Sequence, residues 1–243
     1  GIGFIILVLL IARKNGLKAL FALIVTVAFI IQVFIPAIFK GYSPILFAVL
    51  TVVFSSLVTI YFTVGTSKKF FVALLGVIGG VLIAGVLSYI FTYRMRLNGF
   101  LDSDLLASAY LLKNIKMREL IPAGVIIGSL GAVMDVAVSI ASSINELHET
   151  DPNMSKKSMF TSALNIGNDI IGTMINTLVL AYIASSIFTL LLIYIQANDY
   201  PLIRTLNFQD IAVEIMRSIC GSIGILIAVP LTAYIGTLIY KKK

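Results

Sequence analysis

The sequence predicts an all-α polytopic membrane protein, with about six full transmembrane helices, a partial one at the start and an interfacial amphipathic helix before an acid-bearing hairpin. Three observations carry this. Hydrophobic residues make up 59% of the chain and charged ones 12%, and mean hydropathy is +1.06, far outside an ordinary soluble domain. The apolar residues gather in runs near the ~20 needed to cross a bilayer. Lys and Arg, which leave a formal net charge of +7, sit between those runs, where membrane topology accounts for them and nucleic acid does not.

The chain opens with a half-span, Gly1 to Ala12, closed by Arg13-Lys14-Asn15-Gly16. No basic flank precedes it, so it does not read as a signal peptide, and the start reads as truncated or processed. A second helix is expected from Leu17 to Phe39, with Pro36 near its end and Gly41-Tyr42-Ser43-Pro44 as the turn. The third, Pro44 to Val64, has Pro in its first turn and Gly65 beyond its end. Thr66-Ser67-Lys68-Lys69 leads into a fourth, Phe70 to Tyr93, whose Gly76, Gly79, Gly80 and Gly85 favour close helix packing. These helices carry no acid. Residues 1–93 therefore read as scaffold.

Residues 94–120 change character. Asn98-Gly99 breaks the helix, Asp102 or Ser103 can cap a new one, and Leu101, Leu105, Leu112 and Ile115 recur opposite Asp104, Lys113 and Lys116. Two readings stand: an amphipathic helix in the headgroup region, or a solvated linker. Pro122 then starts a fifth helix that ends near Leu147. The sixth, Ser158 to Gln196, is too long for one untilted crossing, so it tilts or breaks at Ala184-Ser185-Ser186. A polar loop, Ala197 to Gln209, precedes a seventh helix from Asp210 to Tyr240, with a kink expected at Pro230. Residues 1–243 form one transmembrane domain, and residues 121–243 carry its polar groups.

Alternation of the spans gathers Lys241-Lys242-Lys243, Lys156, Lys157, Lys68, Lys69, Arg13, Lys14 and Lys18 on one side, which positive-inside makes cytoplasmic. Arg94, Arg96, Lys113, Lys116 and Arg118 then fall outside, offset in part by Asp102, Asp104 and Glu119. Tyr42, Tyr89, Tyr93, Tyr194, Tyr200 and Tyr240 are natural interface anchors.

The chemistry concentrates in the hairpin from Gly124 to Asn176. Each arm is apolar and holds one carboxylate at depth, Asp135 and Asp169, and an ionisable residue inside a span is a functional hypothesis by default. With the arms antiparallel about Pro152, Asp135 meets Asp169 in depth, Gly131 meets Thr173, Gly128 meets Asn176 and Ser139 meets Asn165. Gly124, Gly128, Gly131, Asp135, Ser139, Ser142 and Glu146 step by three or four, and so do Asn165, Asp169, Gly172 and Asn176, so each set lies on one helix face. One reading is a tight pair in which Ser, Thr and Asn satisfy two acids. The other is a coupling site that takes up a proton, or a hard cation such as Na+ or Mg2+ with Ser139, Asn165, Thr173 and Asn176 as oxygen donors.

In the seventh helix Glu214 and Arg217 share a face that continues through Ser218, Gly221, Gly224 and Ala228, giving either a juxtamembrane ion pair or a gate above a small-residue groove. An intramembrane aspartyl protease also uses two acids on adjacent helices, but such proteases carry Tyr-Asp and Gly-x-Gly-Asp, where this chain has Met134-Asp135 and Gly167-Asn168-Asp169. A structural subunit or assembly factor that binds through its glycine faces is the remaining class. The chain has no Walker loop, no zinc-spaced His or Cys pair and no dinucleotide fingerprint, so no cofactor is expected. Cys220 reads as a packing residue and His148 as a solvated one.

The blocks Gly128-Ser129-Leu130-Gly131-Ala132-Val133-Met134-Asp135, Asn165-Ile166-Gly167-Asn168-Asp169-Ile170-Ile171-Gly172-Thr173 and Glu214-Ile215-Met216-Arg217, with Gly221-Ser222-Ile223-Gly224, resemble the signature blocks of the YibE/F family of bacterial membrane proteins. The resemblance runs along nearly the whole chain. It departs at Asn168, where the family pattern has Arg, so an ion pair made by that Arg is lost here. It implies a permease-like protein of the plasma membrane, often with an upstream helix and an extracytoplasmic domain, and supplies no substrate. Expected partners are the bilayer, a small ion or solute, and either a second copy of the chain or that extracytoplasmic domain; nucleic acid is not among them.

Overall fold

The computed structural model describes residues 2–99, 114–196 and 207–240, and every regular element among them is a helix. The first, α1 (Ile2–Phe29), runs on through residues 13–16. The expected break is absent because that stretch holds no proline, and one glycine costs a helix only about 1 kcal/mol. A π-helical turn, Ile30–Phe34, then joins α1 to α2 (Ile35–Phe39). Its cause is Pro36, which cannot donate to the carbonyl of Gln32; the backbone widens just before it, and Ile35 N–H donates to the Ile30 carbonyl.

Punctuation sets the next boundaries. Gly41, at φ 86°, reverses the chain after α2, and its N–H donates to the Ile38 carbonyl at 2.9 Å. Ser43 takes the N-cap position of α3 (Pro44–Val64), and Gly65, at φ 75°, ends it, so this helix has the expected limits. The following helix, α4 (Lys68–Arg94), starts two residues earlier than expected, since nothing between Lys68 and Phe70 opposes a helical turn. In α5 (Met117–Thr150) the helix begins five residues ahead of Pro122, which it tolerates within its first two turns. Ser155 caps α6 (Lys156–Ser185), its Oγ accepting from Ser158 N–H at 3.1 Å. The long sixth helix does break, at Ser186, and continues as α7 (Ile187–Gln196). The last, α8 (Gln209–Tyr240), carries Pro230 inside it. The amphipathic stretch through Leu101, Leu105 and Leu112 lies outside the described residues, as do residues 197–206, with Tyr200 and Arg204, and the terminal lysines.

Among the described residues six helices are long and apolar enough to cross a membrane: Gly16–Phe39, Pro44–Val64, Lys68–Arg94, Met117–Thr150, Lys156–Ser185 and Ile211–Tyr240. The chain is a membrane-embedded helical protein. Side-chain contacts show that successive spans alternate in direction. At one end Ser43 Oγ–H donates to Glu119 at 2.5 Å, and Gln209 Nε2 donates to Asn98 at 2.6 Å. At the other, Tyr240 OH donates to Asn145 at 2.8 Å, and Lys68 Nζ stands 5.3 Å above the Tyr240 ring. The Pro152 loop belongs to this second end. Tyr240, expected as an interface anchor, is nearly buried there.

The core is built by α4, α5 and α8. Where α4 crosses α8, a Cβ on Gly80 would stand 3.0 Å from the Gly224 carbonyl, and one on Gly224 3.1 Å from the Gly80 carbonyl, so the two backbones touch. Val77, Val81, Val133, Val136, Ile140, Ile144, Ile225 and Val229 fill the space around this contact. Cys220 is fully buried beside Val213 and Met216, as a packing residue should be. The outward faces of α1, α3, α4 and α8 carry large apolar side chains, Phe21, Ile24 and Val27 on α1, Leu46, Leu50 and Leu57 on α3, Leu75, Leu82 and Val86 on α4, and Leu226 and Leu238 on α8. Such faces suit lipid.

Candidate functional site

The two acid-bearing stripes exist as faces, but they do not pack on each other. On α5 the buried side is Val133, Val136, Ala137, Ile140 and Ile144, and the opposite side exposes Gly128, Gly131, Asp135 and Glu146, with Gly124, Ser139 and Ser142 half-buried. On α6 the buried residues are Met159, Ala163, Gly167 and Leu178, while Asn165, Asn168, Asp169, Gly172, Thr173 and Asn176 line the outward side. Gly167, not Gly172, is the contact glycine: a Cβ there would run into Val229, with Ile140 at 3.4 Å. A Cβ on Gly131 or on Gly172 would meet no other described residue beyond its own turn of helix within 4 Å. Within one chain, then, neither of those two glycines makes the helix contact expected of it. The Gly167 face also carries Met159, Ala163, Ile170, Met174 and Leu178, and burying that apolar set outweighs burying a face of amides and one acid.

Among the described residues neither Asp135 nor Asp169 makes a hydrogen bond or ion pair. Thr173, expected to ligate, has its hydroxyl donating to the Ile170 carbonyl of its own helix at 2.8 Å. Ser139 is half-buried, and its carbonyl accepts from Ser143 Oγ at 2.9 Å. No three His, Cys, Asp or Glu side chains come together among the described residues.

What the structure does assemble lies at the other end of the α5 stripe. Glu214 and Arg217 form an ion pair of 3.0 Å on α8. A Cβ on Gly124 would be 3.8 Å from Arg217 Nη2, so this pair sits over the first glycine of the stripe. One turn deeper, where Asn176 was expected opposite Gly128, stands the Tyr182 hydroxyl, 3.0 Å from the position of a Gly128 Cβ and 3.6 Å from that of Gly221. Two glycines on two helices therefore make the slot for the tip of one tyrosine. Its hydroxyl is buried and has no hydrogen-bond partner among the described residues, and neither has Glu214 Oε2, Arg217 Nε or Ser222 Oγ. A cavity of 260 Å³ opens beside them, lined by Val179, Tyr182, Ser186, Glu214, Ser218 and Ile219 among others.

From this cluster the stripe continues along α5 through open Gly131 to exposed Asp135, ~16 Å in all at the rise of a helix. Gly221 serves the slot, being also 3.0 Å from Leu178, whereas Gly224 serves the crossing with α4. Tyr182 has no counterpart among the residues singled out from the sequence. Nothing local marks it, since it lies in an apolar run and meets its glycines only across helix boundaries.

At the far end His148 belongs to the last turn of α5, not to a polar loop. Its ring packs edge-on to Tyr240 at 5.3 Å, and its Nδ1 is buried without a partner among the described residues. Asn145 links this end of α5 to α8, accepting from Tyr240 at 2.8 Å and donating to Glu149 at 2.7 Å.

No curated protein and no solved structure matches the chain. The family model of YibE/F-like proteins matches residues 1–242, essentially the whole sequence, and the chain belongs to that family.

Proposed function

We propose that this protein is an ion-coupled permease of the bacterial plasma membrane, with Asp135 and Asp169 as the groups that take up and release a proton or small cation. The supporting observation is the open face of α5. A row of glycines leads from the Glu214–Arg217 pair, past the Tyr182 hydroxyl, to a carboxylate at membrane depth with no partner among the described residues. Packing alone gives no reason for an acid there, since the buried side of α5 is complete without it. In this reading the ion pair and Tyr182 form the gate, Ser139 supplies a polar atom along the α5 path, and Asn165, Thr173 and Asn176 stand beside Asp169 on the face of α6. Discontinuous helices at membrane depth are a recurrent feature of transporters, and the break between α6 and α7 at Ser186 borders the same cavity.

Orientation is part of the proposal. Lys68, Lys69, Lys156 and Lys157 share an end with Tyr240, which makes that end and the C-terminus cytoplasmic by positive-inside.

The test is flux into proteoliposomes loaded with a pH-sensitive dye, under imposed proton and cation gradients. Wild-type flux should vanish in Asp135→Asn and in Asp169→Asn while both variants keep wild-type melting temperatures. Unaltered flux in the two variants would remove the acids from the mechanism. No wild-type flux under any gradient would favour the second reading, a structural subunit, for which the exposed amides of α6 are the specific support.

A further inference from the structure

The outward face of α6 is unlike those of α1, α3, α4 and α8. Where those spans offer Phe, Leu, Ile and Val, and α5 exposes glycines with Asp135 and Glu146, the middle of α6 offers Asn165, Asn168, Asp169, Gly172, Thr173 and Asn176. The hydroxyls of Thr173 and Thr177 are satisfied within the helix, at 2.8 Å each. The three carboxamides and the carboxylate have no partner among the described residues. Lipid offers none either, and a polar group left unpaired in hydrocarbon costs several kcal/mol. Nor can α6 turn this face inward, because Met159, Ala163, Gly167 and Leu178 hold its opposite side against α5 and α8.

We infer that this face is the contact between two copies of the chain in the membrane, crossing at Gly172. Three features select a second copy as the occupant. A carboxamide both donates and accepts, so a row of them is self-complementary, and copies inserted in the same direction bring equal depths together. The face carries no Lys or Arg and a single carboxylate, whose needed donors are the amides of Asn165 and Asn168 in the facing copy. Gly172 has open space around it, which lets two backbones approach, and it lies between Asp169 and Asn176 so that the like charges of the two copies sit off the crossing point. The two internal stretches outside the described residues, 100–113 and 197–206, both join helices at the end remote from the Pro152 loop, and the stripe reaches toward that loop as far as Asn165. This inference does not depend on transport, because it concerns association alone.

The test uses the full chain with Cys220→Ala, reconstituted in vesicles at a high lipid ratio and oxidised with copper phenanthroline. Gly172→Cys and Thr173→Cys should each give a disulfide-linked dimer. Leu82→Cys, on the lipid-facing side of α4, should give less than a tenth as much. Single-molecule photobleaching of labelled protein should show two-step traces, and Asn165→Leu with Asn176→Leu should raise the dissociation constant at least tenfold with the melting temperature of the monomer retained. Equal cross-linking at residues 82, 172 and 173, or one-step traces throughout, would overturn the inference. So would a monomeric Gly172→Cys variant whose new thiol resists a membrane-permeant maleimide, since another segment of the same chain would then cover the face.

Discussion

Replacing Gly80 by Ala tests the account of the core most sharply. The added methyl would stand 2.8 Å from Ala228 Cβ, 2.9 Å from Val133 Cγ1 and 3.0 Å from the Gly224 carbonyl oxygen. Ordinary carbon contacts lie at ~3.5–4.0 Å, so α4 and α8 must part by roughly 0.5–1 Å. The carbonyl is backbone and cannot rotate aside. Overpacking of this kind costs about 1–3 kcal/mol, of which the better helix propensity of Ala returns about 1 kcal/mol, leaving a net loss of about 1 kcal/mol. Gly131→Ala meets nothing within 4 Å, so only the propensity gain of about 0.5–1 kcal/mol operates. The two variants should therefore differ by about 2 kcal/mol, or about 4–8 °C in melting temperature for a chain of this size. Thermal unfolding of the purified protein in detergent reads this directly. A Gly80→Ala variant that melts at or above the wild type, or a Gly131→Ala variant that falls as far, would show that the α4–α8 contact is not the tight point of the bundle.

Two further outcomes follow from the polar cluster. Glu214 and Arg217 are each about a quarter exposed, so breaking their pair should cost less than the 3–5 kcal/mol of a fully buried one, about 1–2 kcal/mol for Arg217→Met or Glu214→Gln. The double variant should recover most of that loss in a thermodynamic cycle, and strict additivity would contradict a direct interaction. Tyr182→Phe removes a buried hydroxyl that has no partner among the described residues, so stability should stay level or rise by up to about 1 kcal/mol in the same melt; a fall would reveal a hydrogen bond made by that hydroxyl.

The sequence by itself determined the class of the molecule, six helices of membrane-crossing length among the described residues and most of their limits, though not that the leading half-span is continuous with the helix after it. Apolar runs of bilayer length admit only helices, and Ser43-Pro44, Gly65 and Ser155 stop and start them through backbone chemistry that needs no neighbour. It also determined that Asp135 lies with Gly128 and Gly131, and Asp169 with Asn165 and Asn176, because helical spacing alone puts residues on one face. Which neighbour each face meets was decided only by the tertiary structure. Small-residue stripes at residues 128–131 and 165–172 satisfy the same spacing rule as Gly76 with Gly80 and Gly221 with Gly224, yet only the latter two bring a pair of backbones together, at Gly80 and Gly224. The choice was made by competition among faces: α6 turns the face bearing Gly167 inward because more apolar surface lies beside it, which leaves the amides and Asp169 outside. The slot that holds Tyr182 is likewise the product of three helices, and no spacing within one of them encodes it.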